Sequence, residues 1–317
     1  MTCLAAACDG GSGATPRDAP SRAVLELRWT RPTRAPRPPR PVSPPLTLAS
    51  APDLFIDAGD VTIRYRVIGR AGKLSPVLML HGYTDRLDMW STPADSLARE
   101  RRVIVPDLRG FGRSTAPLDT LRYGRAMLDD MVRLLDDLEV RRVHVVGYSM
   151  GALLAAHLAL ELPARVASAT FVAGAFWEDS AAAMRDLAPS IRALGTEDGA
   201  MPFFHWILPS WSHDSLVPVV DQVMAEHDRK ILSNVARSLP ALSLDWPTVR
   251  RATVPVVAVV GTHDAIAAHS RRLTSRWPGA RLVEVPSRDH ADIRAAPVLL
   301  DAMRAAIAAG EAAPAMH

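Results

Sequence analysis

Short apolar runs recur along most of this chain and predict strands. The second run alternates apolar and polar positions, whereas residues 76–80 are continuously apolar, as in a strand buried on both faces. Gly59-Asp60 is typical of a hairpin turn, so the first two strands should form an antiparallel edge of the sheet. The predicted strands are 54–58, 61–68, 76–80, 103–106, 143–146, 169–173, 254–260 and 281–285.

Segments with helical periodicity lie between these runs. Residues 119–138 repeat apolar positions at helical spacing and predict one amphipathic helix packed on the sheet. Further helices are predicted at 93–101, 152–160, 266–276 and 297–309. Strands that alternate with helices indicate the α/β class, here a mostly parallel eight-stranded sheet flanked by helices.

The alternation stops between the sixth and seventh strands. This segment is rich in aromatic residues and proline, which predicts a helical cap over residues 177–250, inserted into a core of residues 51–176 and 251–317. The cap aromatics could form its own core or line an apolar pocket, and both interpretations stay open. The candidate pocket residues are Trp177, Phe203, Phe204 and Trp206.

Charge and composition set residues 1–50 apart from the rest. They carry seven arginines against three acidic residues, whereas residues 51–317 carry 30 basic and 31 acidic residues. A body without basic excess argues against a nucleic-acid partner. The first 50 residues are also rich in proline and poor in large apolar residues, so we expect a disordered tail.

Both cysteines, Cys3 and Cys8, lie in this tail, which leaves the body without a disulfide framework. Residues 4–8 resemble the end of a bacterial lipoprotein signal, but the charged and apolar regions that such a signal requires do not precede them. We therefore expect a cytoplasmic protein, with an exported lipoprotein whose signal is truncated before Cys8 as the alternative. No apolar run is long enough to predict a membrane span, and the oligomeric state is left open.

The candidate chemistry begins at residues 147–151, Gly-Tyr-Ser-Met-Gly, between a β-branched strand and a helical segment. Such a G-x-S-x-G turn lifts the hydroxyl of Ser149 clear of the sheet. The five-residue pattern is weak by itself, but Asp264 and His290 follow the last two strands, so three side chains meet at one edge of the sheet. His290 could then deprotonate Ser149, with Asp264 orienting the imidazole.

These pieces resemble the α/β-hydrolase fold family, whose layout residues 53–309 follow. The matching motifs are His81-Gly82, the loop from Asp107 to Ser114, the elbow at 147–151, residues 261–264 and Asp289-His290. The resemblance implies an oxyanion hole made by the backbone N–H groups of Tyr83 and Met150. It also implies no metal and no cofactor.

Two details depart from the family pattern. Asp289 stands before His290 where the family commonly has glycine, which puts the local loop shape in question. Glu178-Asp179 follows the sixth strand, where a minority of relatives place their acid, and we favour Asp264 over Asp179. Asp107 and Arg109 are interpreted as residues that stabilise their loop through hydrogen bonds. The remaining histidines are interpreted as structural, or as lacking the spacing of metal ligands.

The function predicted from these residues is cleavage of a carboxylic ester of a small or medium apolar substrate through an acyl-enzyme. Lactonase, thioesterase, C–C bond hydrolase, acyltransferase and perhydrolase activities need the same three residues and stay open. Epoxide hydrolases and haloalkane dehalogenases of the family use aspartate at the elbow, whereas this chain has Ser149. A non-catalytic binding protein on the same scaffold is the alternative of another class.

Overall fold

An eight-stranded sheet organises the part of the chain that the computed structural model describes, residues 47–313. The spatial order of the strands is β1-β2-β4-β3-β5-β6-β7-β8. The β1–β2 and β2–β4 pairings are antiparallel and all the others are parallel, so the predicted mostly parallel sheet with an antiparallel edge is confirmed. In chain order the strands are β1 (Leu54–Asp57), β2 (Thr62–Ile68), β3 (Val77–Leu80), β4 (Val103–Pro106), β5 (Val143–Tyr148), β6 (Val166–Val172), β7 (Val256–Gly261) and β8 (Arg281–Val285).

Helices cover both faces of this sheet. Alternate residues of β3 belong to different buried clusters: Leu78 and Leu80 pack into one, and Val77 and Met79 into the other. Because successive side chains of a strand point to opposite faces, the sheet is buried on both sides. The α-helices are α1 (Ser91–Ala98), α2 (Arg125–Asp137), α3 (Met150–Glu161), α4 (Ser180–Ala193), α5 (Met201–Ile207), α6 (His213–Glu226), α7 (Arg229–Ser238), α8 (Trp246–Val249), α9 (Ala267–Thr274) and α10 (Val298–Ala312).

The helix predicted over residues 119–138 is wrong in its first part. Thr120–Arg122 form a short 3₁₀ turn, and α2 begins only at Arg125. Gly124 lies between them with φ of +59°, a left-handed conformation that interrupts a right-handed helix. The apolar spacing runs through this break, which is why it predicted one helix.

The segment between β6 and β7 contains α4 to α8 and a 3₁₀ turn at Leu239–Leu242. We call residues 177–250 the helical insertion. Its apolar residues, such as Leu187 and Leu232, pack into the same buried cluster as Leu78 of the sheet. The insertion therefore shares its core with one face of the sheet.

The predicted disordered tail lies mostly outside the described residues, as do Cys3 and Cys8. Its last four residues, 47–50, are described, and they form a turn. Leu48 is fully buried there, and its N–H donates to the Asp95 side chain at 2.6 Å. The ordered fold thus includes residues that we assigned to the tail. Across residues 47–313, no helix is both long enough and apolar enough to cross a membrane.

Candidate active site

Ser149 occupies the turn between β5 and α3. Its φ of +52° and ψ of −113° lie in a region that residues with a Cβ rarely adopt, a strain typically costing about 1–3 kcal/mol. The Ser149 N–H donates to the Val172 carbonyl on β6 at 2.9 Å, which ties the turn to the neighbouring strand. The surrounding sheet thus holds the serine in the strained geometry expected of an elbow.

The two glycines of the motif are required by close approach of backbone to backbone. A Cβ on Gly147 would lie 2.1 Å from the Gly151 carbonyl oxygen, and a Cβ on Gly151 would lie 2.2 Å from the Leu80 carbonyl oxygen. Neither contact could be relieved by moving a side chain. Both glycines are therefore required because α3 packs closely against the ends of β3 and β5.

His290 lies between Ser149 and Asp264. Its Nε2 is 3.1 Å from the Ser149 Oγ, and its Nδ1 is 3.0 Å from the Asp264 Oδ2. The three residues are at most 8% exposed. The second carboxylate oxygen of Asp264 accepts the Ile266 N–H at 2.9 Å. The predicted Ser–His–Asp arrangement is therefore brought together in the structure.

These contacts determine which imidazole nitrogen carries the proton when His290 is neutral. Asp264 can only accept as a carboxylate, so the Nδ1–H of His290 donates to it. The Nε2 lone pair then faces the Ser149 hydroxyl and can accept its proton. This chain of hydrogen bonds is the arrangement in which a serine hydroxyl can become nucleophilic.

The loop before His290 is held by the side chain that replaces glycine. Asp289 Oδ1 accepts the N–H groups of Ala291 and Asp292, and Asp292 in turn accepts the Asp289 N–H. The Trp211 indole N–H donates to Asp289 Oδ2 at 2.7 Å. Burial alone would raise the pKa of Asp289, but these hydrogen bonds outweigh it and lower that pKa.

Tyr148 fixes the other side of the imidazole. Its hydroxyl donates to the His290 carbonyl at 2.8 Å, and its ring lies 5.1 Å from the imidazole, centroid to centroid. Burial raises the pKa of Tyr148, so the phenol keeps the proton that it donates. The residue preceding the serine in the elbow thus also positions His290.

The predicted oxyanion-hole residues, Tyr83 and Met150, line the same cavity as Ser149. Met150 is the first residue of α3, where a helix leaves its N–H groups free of intrahelical partners. Within residues 47–313, neither backbone N–H donates to a protein acceptor. The Tyr83 hydroxyl donates to the Leu232 carbonyl in the helical insertion at 2.9 Å. Two residues whose backbone N–H groups have no acceptor among the described residues therefore line the cavity at Ser149.

A cavity opens at Ser149, where the space free of protein atoms is about 470 Å³, including space open to solvent. Of the four predicted pocket residues, Trp177, Phe203 and Trp206 line it. Phe204 does not, so its assignment is corrected: it is 8% exposed and packs into the main apolar cluster. Phe203 and Trp206 are three apart on α5 and share a face, whereas Phe204 is turned away from that face. The lining is Tyr83, Ser149, Met150, Ala175, Trp177, Leu187, Ser190, Phe203, Trp206, Ile207, Ala236, Leu239 and Ile266.

Ser190 is a lining residue that the sequence analysis missed. A serine in a helix of mixed composition carries no pattern that marks it as part of a site. The contact between Trp211 and Asp289 was missed for a related reason, since 78 residues separate the two side chains.

Asp179, the alternative acid, has another role. Its carboxylate accepts the Ala182 N–H at 2.7 Å and caps the start of α4. An aspartate in this position stabilises a helix N-terminus. The imidazole of His290 is instead paired with Asp264.

Asp107 and Arg109 hold the loop that follows β4. Asp107 is fully buried and accepts the Arg64 guanidinium and the N–H groups of Leu87 and Arg113. Arg109 pairs through two nitrogens with the carboxylate of Asp130, each contact 2.6 Å long. These contacts agree with the structural interpretation of both residues.

His81 links the loops after β3 and β4. Its Nε2 accepts the Leu108 N–H at 2.9 Å, so Nδ1 must carry the proton and donate to the Gly82 carbonyl. Burial lowers the pKa of His81 and keeps this ring neutral. His81 thereby fixes the backbone just before Tyr83.

Other histidines of residues 47–313 make hydrogen bonds within the protein. The Nε2 of His205 lies 3.2 Å from the Nδ1 of His213 in the helical insertion, and the Nε2–H of His227 donates to the Thr84 carbonyl at 3.1 Å. No group of three or more His, Cys, Asp or Glu side chains in residues 47–313 could hold a metal ion. His144 and His157 bond to Ser168 and to Glu161, respectively.

Comparisons with known proteins assign the fold. A family model described as alpha/beta hydrolase fold matches residues 75–199. The crystal structure of the enol-lactonase from Burkholderia xenovorans LB400 superposes with a TM-score of 0.68 at 21% identity, over 80% of this chain and 100% of that one. The chain therefore has the α/β-hydrolase fold. The resemblance noted in the sequence is therefore confirmed at the level of the fold.

Curated relatives match over different lengths. A fluoroacetate dehalogenase from a Burkholderia species is 39% identical over 117 residues, which span 36% of this chain and only 38% of that protein. A putative 2-succinyl-6-hydroxy-2,4-cyclohexadiene-1-carboxylate synthase from Bacillus subtilis (strain 168) is 28% identical over 260 residues, or 72% of this chain and 88% of that protein. These relatives are named for different activities, so the comparisons do not select one reaction.

Proposed function

We propose that this α/β-hydrolase-fold protein is a serine hydrolase that cleaves a carboxylic ester through an acyl-enzyme. The observation that carries the proposal is the continuous hydrogen-bond chain from Ser149 through His290 to Asp264, with distances of 3.1 and 3.0 Å. A serine hydroxyl is a poor nucleophile until a base takes its proton, and this chain supplies the base and its orienting carboxylate.

The reaction proceeds in two steps. Ser149 Oγ attacks the acyl carbon while its proton passes to His290 Nε2, and the oxyanion that forms is bound by the N–H groups of Tyr83 and Met150. His290 then gives the proton to the leaving alcohol, and the acyl-enzyme forms. Water, deprotonated by His290, releases the acid and restores the serine. Each oxyanion donor typically contributes about 3 kcal/mol to transition-state stabilisation.

The cavity supports a neutral and mainly apolar substrate of small or medium size. Among residues 47–313, its lining contains mainly aromatic and aliphatic side chains and no Asp, Glu, Lys or Arg. A charged substituent buried there would have no opposite charge to pair with, which is strongly unfavourable. The lining therefore supports an uncharged group bound beside Ser149.

Dehalogenation is less well supported, although one relative is named a fluoroacetate dehalogenase. The resemblance to dehalogenases of this fold would require aspartate at the elbow, where this chain has Ser149. Lactone cleavage uses the same bond type and the same residues as ester cleavage, and it is the second candidate because the enol-lactonase superposes over its full length.

The proposal is tested with purified protein and p-nitrophenyl esters of increasing acyl length, with lactones and thioesters alongside. We expect hydrolysis that is abolished by Ser149→Ala. If Ser149→Ala kept the wild-type rate, or if no ester or lactone were hydrolysed, the proposed activity would be wrong. The second outcome would favour a binding protein on the same scaffold.

A further inference from the structure

Ser190 on α4 carries a buried hydroxyl that has no partner in the protein. The residue is 4% exposed, and its Oγ makes no hydrogen bond to any described residue. A serine within a helix can donate to the carbonyl three or four residues earlier, but Ser190 does not. Buried polar groups are nearly always hydrogen-bonded, so each exception calls for a physical explanation.

The place of Ser190 supplies that explanation, because the residue lines the cavity beside Ser149. Within the described residues, eight buried side-chain nitrogen or oxygen atoms lack a partner, and only that of Ser190 belongs to a residue of the cavity lining. The others are Arg64 Nε, Trp90 Nε1, Arg101 Nε, His144 Nε2, Arg165 Nε, Trp246 Nε1 and Ser270 Oγ.

Three other polar side chains of the lining have hydrogen-bond partners in the protein. The Tyr83 hydroxyl donates to Leu232, the Trp177 indole N–H donates to Asp186 at 2.8 Å, and the Ser149 hydroxyl faces His290. Ser190 thus carries a buried hydroxyl donor that no acceptor in residues 47–313 satisfies, in a lining made mainly of apolar and aromatic side chains.

We propose that Ser190 is a specificity-determining residue that donates a hydrogen bond to an ether, hydroxyl or carbonyl oxygen in the acyl part of the substrate. The inference rests on the proposed ester hydrolysis and narrows its substrate class. The substrate is a neutral ester whose acyl chain is apolar except for one oxygen placed away from the scissile carbonyl. A carboxylate in that place is excluded because no cationic side chain lines the cavity.

The test compares p-nitrophenyl hexanoate with esters in which one chain methylene is replaced by an ether oxygen, one position at a time. For each ester, kcat/KM is measured with the wild-type protein and with Ser190→Ala. For each protein, the kcat/KM of the oxygenated ester is divided by the kcat/KM of the hydrocarbon ester. Comparing this ratio between the two proteins cancels the intrinsic reactivity of each ester. At one oxygen position we expect the wild-type ratio to exceed the variant ratio about 3- to 10-fold, as for one neutral hydrogen bond.

Ser270→Ala is the matched control. Ser270 is also a buried helical serine whose Oγ has no partner, but it does not line the cavity. Both variants should fold, because alanine favours a helix and removes a buried unpaired hydroxyl. Ser270→Ala should leave the ratio unchanged at every oxygen position.

A second measurement separates this inference from the proposed catalysis. Ethyl hexanoate and its ether analogues are titrated into Ser149→Ala and into Ser149→Ala/Ser190→Ala. The binding measured in this way does not depend on turnover. Stronger binding of one ether analogue, lost with Ser190→Ala, supports the inference even if ester hydrolysis were absent. Equal ratios for both proteins at every position, in rates and in binding, would overturn the inference.

Discussion

The edge of the sheet where the strands end at Ser149, called the edge from here on, and the helical insertion both line the cavity. The two regions are held in place by different kinds of contact. At the edge, Ser149 is fixed by backbone packed against backbone, as Gly147 and Gly151 show. The loops of His290 and Asp264 are then fixed by buried hydrogen bonds from Tyr148 and Ile266. This region leaves almost no freedom to the reacting groups.

The helical insertion is joined to the site loops through polar side chains. Trp211 bonds to Asp289, His227 contacts the Thr84 carbonyl, and Tyr83 reaches the Leu232 carbonyl. Such contacts are individually modest compared with a backbone clash. The difference implies that changes at the edge affect every substrate, whereas changes in the insertion affect selection among substrates and the stability of the cavity.

The largest effect is expected at the proposed acid. Asp264→Asn should lower kcat about 10⁴-fold, because an amide no longer holds His290 in the required tautomer. Asp179→Asn is the matched control and should keep the wild-type kcat, since asparagine also caps a helix. Steady-state kinetics on one p-nitrophenyl ester checks both. If kcat fell with Asp179→Asn and not with Asp264→Asn, the catalytic acid would be the residue in the segment after β6 and not the one after β7.

Gly151→Ala tests the backbone packing at the edge. The added Cβ would lie 2.2 Å from the Leu80 carbonyl oxygen, so we expect the free energy of unfolding to fall by about 3 kcal/mol. Gly72→Ala, with no atom within 4 Å of the added Cβ, should change it little. Urea denaturation measures both variants. Equal stability of the two would show that the close approach is not structural.

His144, near the start of β5, makes the stability of the fold sensitive to acid. Burial lowers the pKa of this β5 imidazole to about 4, so the folded protein keeps it neutral while the unfolded chain takes up a proton near pH 6.5. Above pH 6.5 this imidazole does not reduce the free energy of unfolding. As the pH falls towards 4, protonation of the unfolded chain lowers the free energy of unfolding, by about 2 kcal/mol at pH 5.

Urea denaturation at pH 7 and pH 5 checks this linkage. His144→Gln should show a smaller loss of unfolding free energy between the two pH values than the wild type. An unchanged difference would mean that another group causes the acid sensitivity.

Trp211→Phe tests the contact between the insertion and the His290 loop, where the expected effect is smaller. Loss of the indole donor to Asp289 should lower the free energy of unfolding by about 1.5 kcal/mol, as for a hydrogen bond to a charged group. It should raise KM more than it lowers kcat. Trp246→Phe is the control, since the Trp246 indole nitrogen has no partner to lose. A kcat loss as large as that of Asp264→Asn would contradict the division between the two regions.

Sequence patterns predicted the sheet closely because its strands are short, apolar and separated by clear turns. The bounds of β4 and β8 match the predicted runs 103–106 and 281–285, and the antiparallel edge was placed correctly. The helix prediction at 119–138 was wrong at its start because periodicity ignores the left-handed φ of Gly124. Local composition does not encode such a break.

The side chains that meet at Ser149 were predictable because each follows a strand whose end lies at a known edge. The glycine replaced by Asp289 left the loop shape in question, and the structure places that side chain in a set of hydrogen bonds that hold the loop. Ser190 and Trp211 were not predictable. Their roles depend on how helices of the insertion pack over the sheet, which distant segments decide together.

The central claim is that His290 and Asp264 make the Ser149 hydroxyl nucleophilic, and covalent labelling tests it most directly. A fluorophosphonate probe, followed by peptide mass spectrometry, should modify the wild-type protein at Ser149. It should fail to modify His290→Ala at a comparable rate, although Ser149 is still present. Absence of labelling at Ser149 in the folded wild-type protein, or equal labelling without His290, would contradict the account.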